Sequence, residues 1–98
     1  MTETGTSLRA AGERWVLSGA LTMDSVAKVL AASKPLPLPA AGLIDLEHID
    51  RVDSAGVSVM LAWKRRAATE GKSIQFAHVP GNMTALAELY GVEDLLRS

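Results

Sequence analysis

Apolar residues along the chain form two kinds of pattern, short runs typical of strands and spacings typical of amphipathic helices. Runs at residues 15–17, 42–46 and 73–78 predict three strands, and the second of them is expected to be central and buried. A weaker stretch at residues 8–11 predicts a short edge strand. It would form a hairpin with residues 15–17, which we expect Gly19 to end.

Helical spacing follows in the segments between and after these strands. The predicted helices cover residues 23–33 with Thr22 as N-cap, 54–70 ended by Gly71, 83–90 ended by Gly91, and a last turn at 92–96. Residues 34–39 are rich in proline, so we expect a stiff extended connector there. The order β-β-α-β-α-β-α-α predicts an α/β fold, a small mixed and mainly parallel sheet with helices packed against it.

The stretch Val52-Asp53-Ser54-Ala55-Gly56-Val57 lies where the central strand passes into the longest helix. Asp53 and Ser54 are both good N-cap residues, because a side-chain oxygen can accept from a free amide of the first turn. Gly56 is unexpected there, since Gly costs about 1 kcal/mol relative to Ala inside a helix. Its missing side chain indicates a close approach, either by the protein's own sheet or by another molecule.

The apolar side chains that we expect to face the core lie on one side of the longest helix. At about 100° per residue these are Val57, Met60, Leu61, Ala67 and Ala68. Lys64 falls among them. We expect its stem to lie on apolar surface with the ammonium in water, and the alternative is a buried carboxylate partner.

A second stripe of the same helix is small and apolar and ends in an arginine. It consists of Ala55, Val59, Ala62 and Arg66, with Trp63 on its flank. We expect it to face away from the core. Small side chains let another backbone approach closely, and Trp and Arg are frequent interface anchors, so the stripe predicts a partner-binding face. The alternative is that Trp63 only covers the edge of the core.

Composition limits the possible functions. The 98 residues suffice for one domain, and residues 1–6 are polar and expected to be disordered. A net charge of −1 gives no electrostatic basis for nucleic-acid binding. The absence of cysteine excludes disulfides and thiolate metal sites and fits a reducing cytoplasm. No apolar run approaches the roughly 20 residues of a membrane span, so a role at a membrane would require a partner.

Candidate chemistry is sparse. Ser54 as a nucleophile would need an oriented base, yet His48 is predicted on a loop, His78 at a strand end, and no nucleophile elbow surrounds Ser54. We therefore expect no enzyme activity and no cofactor. Two isolated histidines also predict no metal site. Asp45 and Asp50 with Asp53 offer an alternative cation site, but we favour Asp50 as a solvated loop residue and Asp53 as a cap.

The junction residues resemble the hallmark of STAS domains, small switch and scaffold modules. The resemblance rests on Leu46, Ile49 and Val52 at spacing three, followed by Asp53-Ser54-Ala55-Gly56-Val57 and Met60-Leu61. Among STAS domains, the chain more closely resembles the STAS subunit of the bacterial Mla phospholipid-transport ABC system. This likeness rests on Arg51-Val52-Asp53-Ser54, on Gly71-Lys72, and on Leu86-Ala87-Glu88-Leu89-Tyr90-Gly91 followed by Leu95-Leu96.

The resemblance implies a non-enzymatic subunit that binds the cytoplasmic ATPase of such a transporter and supports lipid traffic between Gram-negative membranes. The alternative is a phosphorylation-regulated antagonist of an anti-sigma factor. In those antagonists the phosphate goes on the second hydroxyl of an Asp-Ser-Ser-Gly motif, and that position is Ala55 here. The departure argues against that switch and leaves Ser54 as the possible phosphoacceptor, with cap plus partner contact as the favoured role.

Overall fold

The computed structural model describes residues 7–11 and 13–94, and it contains four strands and three helices in this range. They are β1 (Ser7–Ala11), β2 (Arg14–Leu21), α1 (Val26–Ser33), β3 (Leu43–Val52), α2 (Ser54–Thr69), β4 (Gln75–Ala77) and α3 (Gly81–Leu89). The strands form one sheet in the order β1-β2-β3-β4. β1 is antiparallel to β2 and the other pairs are parallel. The predicted mixed, mainly parallel α/β fold is confirmed.

The helices cover one face of this sheet. Since β2, β3 and β4 are neighbours in chain order, right-handed crossovers place α1 and α2 on the same side. Large side chains that are at most 2% exposed fill the layer between sheet and helices: Trp15, Trp63, Leu17, Leu21, Ile44, Leu46, Met60, Met83 and Val59. The opposite side, the open face, carries no helix in the described part of the chain.

Several predicted boundaries are wrong for local reasons. β2 runs through Gly19 to Leu21, because glycine tolerates the positive φ of 93° found there. α1 begins at Val26 rather than Met23. The preceding residues form a turn instead, in which the Ser25 hydroxyl donates to the Ala20 carbonyl at 2.7 Å and accepts from the Thr22 amide at 3.0 Å. Thr22 is therefore not the N-cap.

β3 is longer than predicted, so His48 and Asp50 lie on a strand and not on a loop. Two irregularities in the pairing with β2 let this strand continue. Ser18 pairs with His48 two residues after Val16 pairs with Asp45, so three steps on β3 match two on β2. Such a bulge changes which side chains face the helices. The predicted disorder of residues 1–6 and the end of the last predicted turn lie outside the described residues.

The second stripe of α2 does not face away from the core, and this expectation was wrong. Val59 is 0% and Trp63 1% exposed. The Trp63 indole donates to the Ser33 hydroxyl at 3.1 Å, and its ring meets that of Trp15 edge-on at 5.4 Å between centroids. Arg66 donates to the carbonyls of Ser33 and Leu36, at 3.0 and 2.6 Å.

The stripe is buried because α2 is flanked on two sides. The sheet covers one side, and α1 with the proline-rich connector covers the next, where Leu38 is 4% exposed. The apolar arc of α2 is thus wider than one stripe. Of the predicted core face, Val57, Met60 and Ala67 are buried, Leu61 is half-buried against the core, and Ala68 is exposed.

Lys64 is half-buried, and its ammonium contacts a carbonyl and an aromatic ring that the sequence did not predict. Its ammonium donates to the Ile74 carbonyl at 2.8 Å and lies 5.7 Å from the centre of the Phe76 ring. Burial lowers the pKa of this amine. The carbonyl and the aromatic ring both favour the charged form, which explains how a lysine is accommodated beside the core.

Replacing Trp63 tests its assignment to the core. We expect Trp63→Ala to lower the free energy of unfolding by roughly 3–5 kcal/mol, because it removes a buried ring and its hydrogen bond. Arg65→Ala, at an exposed position of the same helix, should change it by less than about 0.5 kcal/mol. Urea denaturation measures both. Similar small losses in the two variants would contradict the burial of Trp63.

Candidate functional site

Asp53 joins the start of α2 to the turn that precedes α1. It is the N-cap of α2, and its Oδ1 accepts from the Ala55 amide at 2.8 Å. Its Oδ2 accepts from the Met23 amide at 3.0 Å. The Asp53 amide in turn donates to the Leu21 carbonyl at the end of β2. One aspartate therefore fixes the strand ends, the helix start and the neighbouring turn together.

Gly56 is needed because the protein's own sheet approaches the helix there. It is buried, and an added Cβ would lie 2.6 Å from the Val52 Cγ2 and 2.7 Å from the Leu21 carbonyl oxygen. The backbone oxygen cannot move without disturbing β2. Of the two explanations left open by the sequence, the approach of the sheet is the one found.

Ser54 is the first residue of α2, but it is not the cap. Its residue surface is exposed, and its hydroxyl forms no hydrogen bond with any residue that the structure describes. The expectation that the Ser54 hydroxyl caps the helix was wrong, since Asp53 occupies that role. Since no described residue pairs with this exposed hydroxyl, it is available for contact with another molecule.

A depression of about 410 Å³ adjoins Ser54 between the first half of α2 and the end of α3. Among the residues that the structure describes, those that line it are uncharged: Ser54, Ala55, Val57, Ser58, Leu61, Tyr90 and Val92. Tyr90 is 52% and the adjacent Leu89 75% exposed. We call Ser54, Ala55, Ser58, Leu61 and Tyr90 of this lining, together with the neighbouring Leu89, the α2–α3 surface.

The predicted partner-binding residues separate into two groups. Ser54 and Ala55 belong to the α2–α3 surface, whereas Val59 and Trp63 lie in the core. Arg66 binds backbone carbonyls of the α1 end and the connector, and Ala62 is half-buried. Ser58, Leu61 and Tyr90 were missed. Their signal in the sequence is the spacing of Ser54, Ser58 and Leu61 along one helix face.

The two histidines lie away from Ser54. Neither His48 nor His78 is hydrogen-bonded to it in the structure, and His78 instead lies with its Nδ1 3.0 Å from the Asp45 Oδ1. The Glu47 amide donates to the same oxygen at 2.9 Å, and the Arg14 guanidinium is 3.7 Å from Oδ2. These contacts leave Asp45 within an ion-pair cluster on the open face.

Burial acts to raise the pKa of Asp45, but the Glu47 amide, His78 and Arg14 outweigh it and hold that pKa below its usual value. Ligand atoms of Asp45, Glu47 and His78 lie within 4.8 Å of one another. The Arg14 cation at the same carboxylate opposes a second cation there. We therefore interpret the cluster as an ion-pair network that ties β3 to the residue following β4.

Gly56→Ala tests the close approach of the sheet. We expect a loss of about 1–3 kcal/mol in the free energy of unfolding, because the new methyl overlaps the Leu21 carbonyl. Gly81→Ala is the matched control, since an added Cβ there meets open space. Chemical denaturation should show the control unchanged or slightly more stable. Equal effects of the two substitutions would contradict the packing role of Gly56.

Asp53→Ala and Ser54→Ala distinguish the cap from its neighbour. We expect Asp53→Ala to cost roughly 0.5–2 kcal/mol, because it removes the cap and the bond from the Met23 amide. Ser54→Ala should change stability by less than about 0.5 kcal/mol, since Ser54 is exposed and its hydroxyl pairs with no described residue. Thermal melting of both variants checks this. A larger loss from Ser54→Ala would reassign the cap.

One comparison with known proteins identifies the family of this chain. No helix in the described ranges is long and apolar enough to cross a membrane. No curated protein sequence gives a significant match to the chain. The sequence does match the family described as the Mlab STAS domain, over residues 6–97. The STAS resemblance of the junction residues is thereby confirmed, and the chain belongs to the MlaB-type family of STAS domains.

Proposed function

We propose that this protein is a non-enzymatic subunit that binds the cytoplasmic ATPase of an Mla-type phospholipid ABC transporter. The observation that carries the proposal is the family membership, which covers residues 6–97. The subunit would be cytoplasmic and held at the inner membrane by the transporter. It would stabilise the assembly and support the ATP hydrolysis that maintains outer-membrane lipid asymmetry in Gram-negative bacteria.

The α2–α3 surface is the part of the molecule best suited to this contact. It combines small side chains on α2 with an exposed tyrosine and leucine at the end of α3. Small residues permit close approach of a partner, and tyrosine is enriched among the residues that dominate binding energy. The Ser54 hydroxyl has no hydrogen-bond partner among the described residues. The ATPase would supply such a partner on binding.

The surface also suits a partner that is not strongly charged where it docks. The described residues that line the depression carry no formal charge. Binding would then depend on apolar burial and shape rather than on long-range attraction, and it should change little with salt. A phosphate on Ser54 would add roughly two negative charges to this surface and oppose such docking.

A signalling antagonist that is switched by phosphorylation remains the alternative function. It would use the same exposed Ser54, but the neighbouring position that carries phosphate in such antagonists is Ala55. The two functions differ in the partner that they require. Identifying the proteins that co-purify from native cells separates an ABC-transporter ATPase from an anti-sigma factor.

Ser58→Arg tests the proposed docking surface. Ser58 is exposed on α2 and lines the depression beside Ser54, so the variant should melt within about 0.5 kcal/mol of wild type. Against the ATPase it would bury bulk and an unpaired charge. We expect at least a roughly tenfold loss of co-purified ATPase. Tyr90→Ala should weaken the same complex without adding charge.

Ala68→Arg is the matched control, because Ala68 is exposed on the same helix but does not line the depression. It should co-purify with the ATPase at the wild-type level. Ala62→Arg would be less informative, since Ala62 is half-buried and its replacement can act through folding. Wild-type recovery of the ATPase by both Ser58→Arg and Tyr90→Ala would place the interface elsewhere.

A further inference from the structure

The open face of the sheet carries a group of hydrogen-bond donors that the proposed function does not use. Ser7 and Arg9 of β1, Val16 and Ser18 of β2, and His48 of β3 line a depression of about 430 Å³. This volume is within the range of small-molecule sites, about 300–1,000 Å³. The face lies on the side of the sheet opposite α1 and α2, away from the α2–α3 surface.

Strand register brings these side chains together. Ser7 pairs with Ser18 across the antiparallel strands, and Ser18 pairs with His48 across the parallel strands. Directly paired residues present their side chains on the same face of a sheet, so the three form a row. Arg9 pairs with Val16 in the next row, two residues along from Ser7 and Ser18.

The bulge in β3 decides which side chain completes the row. With regular pairing after Val16–Asp45, Ser18 would have faced Glu47. The extra residue moves His48 into that position instead, so an imidazole stands where a carboxylate would otherwise lie. Bulges frequently redirect side chains at functional sites. Here the result is a depression whose polar lining residues can all donate hydrogen bonds.

The donors are not engaged within the protein. The side chains of Ser7, Arg9, Ser18 and His48 form no hydrogen bond or ion pair with other residues in the ranges 7–11 and 13–94. None of the described residues that line the depression is a carboxylate. The carboxylate of Asp45, which pairs with Val16, is already held by the Glu47 amide, His78 and Arg14. The local balance of charge and donors therefore favours an anion.

We propose that this open-face site binds a phosphate group, as a free phosphate or as the phosphate of a lipid headgroup. The guanidinium of Arg9 suits a tetrahedral oxyanion, because its planar donors can contact two oxygens at once. The hydroxyls of Ser7 and Ser18 and the ring of His48 supply further donors to the remaining oxygens. The depression has room for a substituent on a phosphate ester.

Amide NMR spectra of the full-length protein provide the test. Inorganic phosphate is titrated at constant ionic strength, and vesicles of phosphatidylglycerol are compared with vesicles of phosphatidylcholine by co-sedimentation. We expect saturable shifts centred on residues 7, 9, 18 and 48, or co-sedimentation specific to phosphatidylglycerol. Phosphate shifts without vesicle binding identify free phosphate as the ligand, and the reverse identifies a headgroup.

Arg9→Gln and Ser18→Ala are the test variants, and Arg65→Gln is the control with the same change in net charge at an exposed site on α2. We expect Arg9→Gln to weaken binding about tenfold or more and Ser18→Ala to weaken it less, whereas the control binds normally. Absence of binding to both probes, or equal losses in Arg9→Gln and Arg65→Gln, would overturn the proposal. Co-purification of the ATPase should be unchanged by Arg9→Gln, which separates this test from that of the proposed function.

Discussion

The hydrogen bonds of the Asp53 carboxylate fix the junction at the end of β3, and the positions of the helices depend on this junction. One oxygen accepts from the first turn of α2, and the other accepts from the turn before α1. Two crossover connections are thereby fixed to one residue at the end of β3. The backbone amide of Asp53 also donates to the Leu21 carbonyl, so the same residue links the end of β2 to the end of β3. This arrangement sets the start of α2 and thus the direction of its faces.

The close approach of α2 to the sheet follows from the same junction. Only a residue without a side chain fits beside the Leu21 carbonyl, and Gly56 supplies it. With the helix start packed closely on the sheet, Val59 and Trp63 are buried, and Trp63 donates to Ser33 at the end of α1. Ser54 is left outside because the adjacent Asp53 already occupies the cap position. Asp53 thus stabilises the start of the helix, and the neighbouring Ser54 remains exposed at the surface.

The fold presents two surfaces of different chemistry. On the side of the helices, the described residues form an uncharged depression with exposed Tyr90 and Leu89, which suits a protein partner. The open face offers arginine, histidine and hydroxyl side chains that have no partner among the described residues, which suits an anion. Because the sheet separates the two surfaces, a protein docked on α2 and α3, as we propose, would leave the open face accessible.

The sequence by itself determined the order of strands and helices, the family, and the importance of Asp53 and Gly56, because strand runs, helical spacing and capping chemistry are local properties. It did not determine which stripe of α2 is buried. That depends on α1 and the connector lying beside the helix, a contact between residues about 30 positions apart in the chain. The pairing of His48 with Ser18 was also decided only in the tertiary structure. It depends on a bulge between two strands, and the sequence of either strand alone does not reveal where such a bulge occurs.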